Sequence, residues 1–346
     1  MVFNGAKKHG IVPYRENSRA FTFVLPHHDG YKELLMSCER MAYMIRNLSV
    51  YSMTCGALGH PGGSFSEAEI LAVLYNYILR YDASDPDWEM RDVFYLSKCH
   101  ACPGLYATLA LFGYFPEDWL ATYGTWGSNL ESHPDRLKTP GIEVSGGSLG
   151  QVPSVAVGRA LAMKQKGPDH YGRMVYALVG DGECNEGSVW EAFMAAGHYG
   201  LDNLVFIIDY NKVQAKGFVC DDMALEPLED KLRAFNLDVH VVKNGHDVSE
   251  IIGCLNMVHT TRRGKPAAVI LNTVKGYPIE MCEYNPNWHT SAPRSIEQAG
   301  LWLDELWEKA GRRLGVDRDF VRLLTESITV AGPLHDNPDK IDDKQA

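Results

Sequence analysis

An α/β fold built on a parallel sheet with helices on both faces is what this sequence predicts, and three observations carry it. From about residue 149 onward, short β-rich apolar runs alternate with stretches of helical spacing. The longest uninterrupted apolar runs, such as "LVFII" (204–208), are of strand length, as strands covered on both faces are. The helical stretches open or close on capping signals and glycine. Strand–helix alternation of this kind favours parallel pairing with helical crossovers.

Taken in order, "SFSEAEILAVLYNYIL" (64–79) is a helix opening at Ser64, with Glu67 at capping-box spacing. "RDVFYLS" (91–97) reads as a strand and "RMVYALVG" (173–180) as a second. "SVWEAFMAAGHYG" (188–200) has helical spacing ending in glycine, and "NLVFIIDYN" (203–211) is a third, buried strand. "PLEDKLRAFN" (227–236) is helical and "LDVHVVKNG" (237–245) is a strand running into a turn. The helix "DVSEIIGCLNMVHTTR" (247–262) opens with Asp247 and Glu250, again at capping-box spacing, and "PAAVILNTV" (266–274) is the last strand. Residues 1–30 lack periodicity and read as an N-terminal extension to a domain over 31–295. Residues 296–346 read as a helical extension whose end, 333–346, is polar enough to be disordered.

At 346 residues the chain can bury a full core. Its formal net charge of −11, with no Lys/Arg run longer than a pair, argues against nucleic acid or an anionic membrane as main partner. The N-terminus lacks the apolar segment of a signal peptide, and no apolar run is long enough to span a bilayer. Eight cysteines without framework spacing suit free thiols in a reducing cytoplasm. One cluster, "SKCHACPG" (97–104), brings Cys99, His100 and Cys102 together, but no second ligand pair exists to complete a structural zinc site.

The stretch "ALVGDGECNEG" (177–187) ends an apolar strand in Gly180-Asp181-Gly182, and Asn211 ends the next strand. In an open parallel sheet, ligands collect at the carboxyl ends of the strands. If these two strands are neighbours, an Asp carboxylate and an Asn carbonyl converge as hard oxygen donors. Such a pair suits Mg²⁺ or Ca²⁺, with diphosphate oxygens completing the shell. Gly182 would let a phosphate reach its N–H near a helix start. Glu183 and Glu186 read as facing away. Alone, Gly-Asp-Gly is simply a turn; no P-loop and no dinucleotide fingerprint is present.

The pair Gly180-Asp181-Gly182 and Asn211 resembles the thiamine diphosphate motif. "GHPGGS" (59–64), "LSKCHA" (96–101), "SHPD" (132–135), "SGGSLGQ" (145–151), "GDGECNEG" (180–187), "NKVQ" (211–214), "TVKG" (273–276) and "WHTSAP" (288–293) follow in the order seen in transketolases. The chain resembles the N-terminal, diphosphate-binding subunit of a split transketolase. That resemblance implies thiamine diphosphate and Mg²⁺ (Ca²⁺ or Mn²⁺ as alternatives), and transfer of a two-carbon glycolaldehyde unit from a ketose to an aldose phosphate. It also implies a pyrimidine-binding partner subunit in an α₂β₂ assembly.

By resemblance, Asp181 and Asn211 give side-chain oxygens to the metal and Val213 its main-chain carbonyl. Gly182 and His100 contact the diphosphate, and Gly147, Ser148 and Leu149 lie by the cofactor rings. Asn211, Lys275 and His289 also touch the cofactor; the other reading of Lys275 is a solvated strand-end lysine. His60 and His289 serve substrate oxygens and proton transfer, and His133 the donor hydroxyl end, as imidazoles near neutral pKa can. His198, His240 and His259 instead fall inside predicted elements. Glu186 and Glu191 match dimer-interface acids or are solvated helix charges.

Several positions depart from the family pattern. Leu58 precedes "GHPG", Cys99 and Ser148 replace Gly and Pro, Val152 replaces Gly, and "QAKG" (214–217) lacks an acid. None removes a metal or diphosphate ligand. Two other readings share parts of the pattern: the α subunit of a 2-oxo acid dehydrogenase E1, against which "GHPGGS" and "LSKCHA" argue, and a non-catalytic cofactor-binding subunit. The donor sugar stays open among pentose or hexose phosphates, apulose 4-phosphate and a sulfonated ketose.

Overall fold

The computed structural model describes residues 28–167, 172–261 and 264–331. Of the expected extension over residues 1–30, only 28–30 are described, and they begin a helix instead of lacking structure; the polar tail over 333–346 lies outside the described residues. Five strands, β1 (Val93–Leu96), β2 (Val175–Gly180), β3 (Leu204–Tyr210), β4 (Asp238–Val242) and β5 (Ala267–Asn272), form one sheet in the order β1-β2-β3-β5-β4. Every pairing is parallel. Because side chains alternate along a strand, each face carries its own core. Phe94, Leu178, Ile207 and Val269 enter one core, and Tyr95, Ala177, Ile208 and Ile270 the other. Adjacent Ile207 and Ile208 are each fully buried, contributing roughly 1.5–3 kcal/mol apiece on opposite faces.

The helices follow from the crossovers. Among the described residues, the α-helices of six residues or more are α1 (His28–Gly56), α2 (Pro61–Ser66), α3 (Ala68–Val73), α4 (Cys102–Leu111), α5 (Gln151–Gln165), α6 (Gly187–His198), α7 (Leu228–Ala234), α8 (Val248–Thr260), α9 (Ile296–Leu306) and α10 (Arg318–Ala331). Residues of α5, α6 and α7 cover one face; α1, α3, α4, α8, α9 and α10 contribute to the core on the other. Among the described residues, no helix is long and apolar enough to cross a membrane.

One helix start differs from the sequence expectation. The helix expected at 64 opens instead at Pro61, with His60 at its N-cap. Proline at the first helical position has its φ preset and lacks an N–H that would go unpaired. Ser64 is therefore no cap: its hydroxyl donates to the Ala101 carbonyl at 3.2 Å. Glu67 turns to Lys98, 2.9 Å away, and marks the joint between α2 and α3. The helix then ends in a π-turn over Leu74–Ile78. Asp247 does cap α8, accepting from the Ser249 and Glu250 N–H groups, while Glu250 accepts from Lys243 and Asn244.

Candidate active site

Parallel neighbours release their following loops at one edge. β1, β2, β3 and β5 are consecutive in the sheet, so Lys98–His100, Asp181–Gly182, Asn211–Val213 and Thr273–Lys275 all leave at the same carboxyl edge. The α2 segment closes over them. Gly62 is needed there because a Cβ would lie 2.8 Å from the Lys275 Cε, and the Gly276 N–H donates to the Gly62 carbonyl at 3.1 Å.

Asp181 is buried and its two oxygens are held by backbone: Oδ1 accepts from Gly182 N at 2.7 Å, and Oδ2 from Lys212 N across the gap to the β3 turn. The Gly182 N–H expected to meet a phosphate is therefore engaged by its own neighbour. What approaches Gly182 is Gln214, whose Cβ would lie 2.8 Å from an added Cβ. Asn211 Oδ1 accepts from Val213 N at 3.2 Å, and its Nδ2 donates to Asp209 Oδ2 at 2.9 Å. Burial, then the nearby Asp209 carboxylate, push Asp181 up to about 7. A bound divalent cation would reverse that direction.

Lys275 is only 3% exposed, which removes the solvated reading. Its Nζ donates to the Val213 carbonyl at 2.6 Å and lies 2.7 Å from His289 Nδ1. Burial draws the ammonium down to about 8. A carbonyl has two lone pairs, so Val213 can serve the lysine and one further cation. Asp181, Asn211 and Val213 thus offer three hard oxygens but a single carboxylate. This set fits Mg²⁺ or Ca²⁺ only with anionic oxygens from a ligand completing the shell. No group of three His, Cys, Asp or Glu suited to a metal exists among the described residues.

Four histidines from four loops come together beside Lys275. The His60 ring lies 5.0 Å from that of His100, 5.6 Å from His289 and 6.4 Å from His133. His100 and His289 are 5.1 Å apart. Here the expectation of near-neutral imidazoles is corrected. Burial first, then His133 and Lys275, lower His60 to about 4; burial and Lys275 lower His289 to about 3. Burial and its ring neighbours hold His100 well below the usual range. All three are neutral at pH 7. The buried His60 Nδ1 has no hydrogen-bond partner among the described residues, an open position for a ligand group.

The loop over 145–150 borders this cluster. Gly147 packs on His133, where a Cβ would sit 3.4 Å from the ring, and Ser148 and Leu149 are exposed. Cys99, in place of a glycine, is tolerated because residue 146 is itself Gly: a Cβ there would lie 2.4 Å from Cys99 Sγ. Glu183, expected to face away, is corrected too. It is buried and accepts from Ser97 Oγ, from Gly150 N at 2.8 Å and from Gly180 N at 3.1 Å. It thereby ties β1, β2 and this loop together. Glu186 and Glu191 are exposed, and His198, His240 and His259 lie within α6, β4 and α8.

Sequence reasoning missed a buried charge cluster beneath the site. Lys98 Nζ lies 2.7 Å from Asp209 Oδ2 and 2.9 Å from Glu67 Oε2, all three nearly without exposure. Burial opposes the charges on Lys98 and Asp209, but their mutual attraction outweighs it, raising Lys98 and lowering Asp209. The available signal was a charged residue inside an otherwise apolar strand run, "LVFIIDY".

Residues 37–300 match the family model for the transketolase thiamine diphosphate binding domain. The chain is 41% identical over 282 residues to one of the subunits of apulose-4-phosphate transketolase from Actinobacillus succinogenes, covering 81% of this chain and 98% of that protein. It is 43% identical over 244 residues to 6-deoxy-6-sulfo-D-fructose transketolase subunit SqwG from Clostridium sp., covering 70% and 87%. The structure of transketolase from Leishmania mexicana superposes with a TM-score of 0.74 at 30% identity, over 85% of this chain. This chain spans 45% of that longer protein.

Proposed function

Because this chain belongs to the transketolase family, through its thiamine diphosphate-binding domain, we propose that it works as the diphosphate-binding subunit of a split, Mg²⁺-dependent transketolase. In this reading it moves a glycolaldehyde unit from a ketose to an aldose phosphate, together with a pyrimidine-binding chain in an α₂β₂ assembly. The single observation that carries it is the meeting of four loop histidines with Lys275, beside the oxygens of Asp181, Asn211 and Val213. The family match, unlike the 2-oxo acid dehydrogenase alternative, accounts for all eight motifs.

Thiamine diphosphate, when bound, supplies the electron sink for breaking a C–C bond beside a carbonyl. This chain's part is binding, orientation and proton handling. Asp181, Asn211 and Val213 would hold the cation; His100 would face the diphosphate, as would Gly182 once its N–H is released from Asp181, Lys275 would touch the cofactor, and Gly147, Ser148 and Leu149 would lie by the rings. His60 and His289 are neutral and half-buried, so His60 can donate a hydrogen bond to a sugar oxygen or accept its proton without first losing one, while His289, with Nδ1 facing the Lys275 ammonium, offers its Nε2–H as a donor. His133, also half-buried and packed on Gly147, faces the donor's hydroxyl end in this reading. The Lys275–His289 contact occupies Nδ1, so Nε2 is the ring position of His289 that a ligand would meet.

Both relatives carry a sugar with a terminal anion in their names, and a ketose bearing phosphate or sulfonate is the proposed donor class. Eight unbridged cysteines support a cytoplasmic setting. The test is a calorimetric titration of thiamine diphosphate with Mg²⁺ into the enzyme assembled with its pyrimidine-binding partner, carrying either the wild-type chain or Asp181→Ala. Metal-dependent binding should be lost in the variant; equal affinity would remove the cation assignment.

A further inference from the structure

Asn211 differs from the other two proposed cation ligands in one respect. A carboxylate shows oxygen whichever way it turns, and a backbone carbonyl has only oxygen to offer. A side-chain amide carries an oxygen on one side and an NH₂ on the other, so a half-turn replaces the donor by a group no cation can use. Something must fix that choice.

Resting on the cation-site reading above, we infer that Asp209 is a positioning residue that sets the polarity of the Asn211 amide. Asp209 is 1% exposed and accepts on both oxygens. Oδ1 takes the Thr273 hydroxyl; Oδ2 takes Ser66 Oγ at 2.7 Å, Lys98 Nζ at 2.7 Å and Asn211 Nδ2 at 2.9 Å. Anchored at both ends, the carboxylate cannot rotate to follow its neighbour. An ionised carboxylate only accepts, so the group facing it must be the NH₂ and the carbonyl must face the other way. A flipped amide would set oxygen against oxygen in a buried site and lose a charge-assisted bond. The bond from Val213 N to Asn211 Oδ1, at 3.2 Å, agrees with the same orientation.

The donors to Asp209 also come from three separate motifs: Ser66 follows "GHPGGS", Lys98 lies in "LSKCHA" and Thr273 opens "TVKG". One carboxylate therefore registers the segments bearing His60, His100 and Lys275 against the cation ligand. Partners behind a metal ligand commonly govern its affinity in this way.

The test is Mn²⁺ binding to the enzyme assembled from this chain and its pyrimidine-binding partner, with saturating thiamine diphosphate, followed by the paramagnetic resonance signal of free Mn²⁺. Asp209→Asn leaves Lys98 paired with Glu67 and should weaken Mn²⁺ by about 10- to 100-fold. In the double variant Asp209→Asn, Asn211→Asp, residue 211 shows oxygen in either orientation, and affinity should return to within about threefold of wild type. A purely structural role for Asp209 predicts no such rescue. Wild-type affinity in Asp209→Asn, or a double variant as weak as the single, overturns the inference. If Asp209→Asn does not fold, Thr273→Val keeps the charge and removes one anchor; it should lose about threefold, and no loss would count against the proposal. Absence of Mn²⁺ binding to the wild type is a different failure, which overturns the cofactor reading and takes this inference with it.

Discussion

Glu67 and Glu69 stand at one helix junction, both buried, yet the structure drives them in opposite directions. Glu69 is enclosed by its own partners: Arg46 donates to both oxygens at 2.6 Å, and His246 Nδ1 adds a contact at 3.0 Å. Burial alone would raise it, but Arg46 and His246 outweigh burial and bring Glu69 down to about 2. Glu67 has only a share in Lys98, which Asp209 also claims, and neither of its oxygens makes an aligned hydrogen bond. Burial wins there, and Glu67 rises to about 7. The difference separates a charge cluster in which cations outnumber the acid from one, beneath the site, in which acids outnumber the cation. In the first, one acid has two basic partners; in the second, one lysine serves two acids.

The contrast breaks most readily at Arg46. Removing it by Arg46→Ala strands a buried carboxylate, and urea unfolding should show a loss of about 3–5 kcal/mol. Cofactor affinity of the remaining folded protein should be unchanged. A loss below about 1 kcal/mol would erase the distinction between the two clusters.

Site histidines should behave in the opposite sense. His60→Ala and His289→Ala should melt near the wild-type temperature while turnover, measured with the partner chain present, falls at least about 100-fold. Near-normal rates would return both rings to a packing role.

A smaller effect, readable by pH, sharpens the contrast between the two acids themselves. Glu69, depressed in the folded state, stabilises fully above its unfolded value of 4.5, and that stability is lost as pH falls toward about 2. Glu67, raised in the folded state, favours folding below 4.5 and withdraws that contribution as pH rises through about 7. Glu67→Gln should therefore gain roughly 1–3 kcal/mol relative to wild type between pH 5 and pH 8 in urea unfolding. Parallel pH curves for variant and wild type would show that Glu67 does not titrate in this range.

Four of the five strands were legible because each is a short, mainly apolar run buried on both faces; β4, an edge strand reading DVHVV and only partly buried, was legible from its valines and the turn signal after it. The longest helix, His28–Gly56, has no such signature. It buries Arg46, Asn47, Ser49 and Ser52 among its apolar residues, so no clean polar face emerges. The structure accommodates this locally: Asn47 donates to the Tyr43 carbonyl at 2.7 Å and Ser49 to that of Ile45 at 2.7 Å. At the site, motif order located the loops, but not what lies beneath them. Ser64 and Glu67 had the spacing of a capping box, yet the partner of Glu67 is Lys98, far along the chain. Glu183 reads as surplus in a run of acids because Ser97 and Gly150, its donors, belong to other segments. Local spacing reports a cap or a turn; it cannot report a charge whose partner arrives only with the sheet.

The central claim is that this chain holds one half of a two-chain transketolase site. The measurement that tests it most directly is two-carbon transfer from ketose phosphates and a sulfonated ketose, with cofactor and Mg²⁺ saturating, by this chain alone and after addition of a pyrimidine-binding chain of roughly two domains' length. Alone, the chain should be silent, and the second chain should restore transfer. Substantial turnover without any partner would contradict the account.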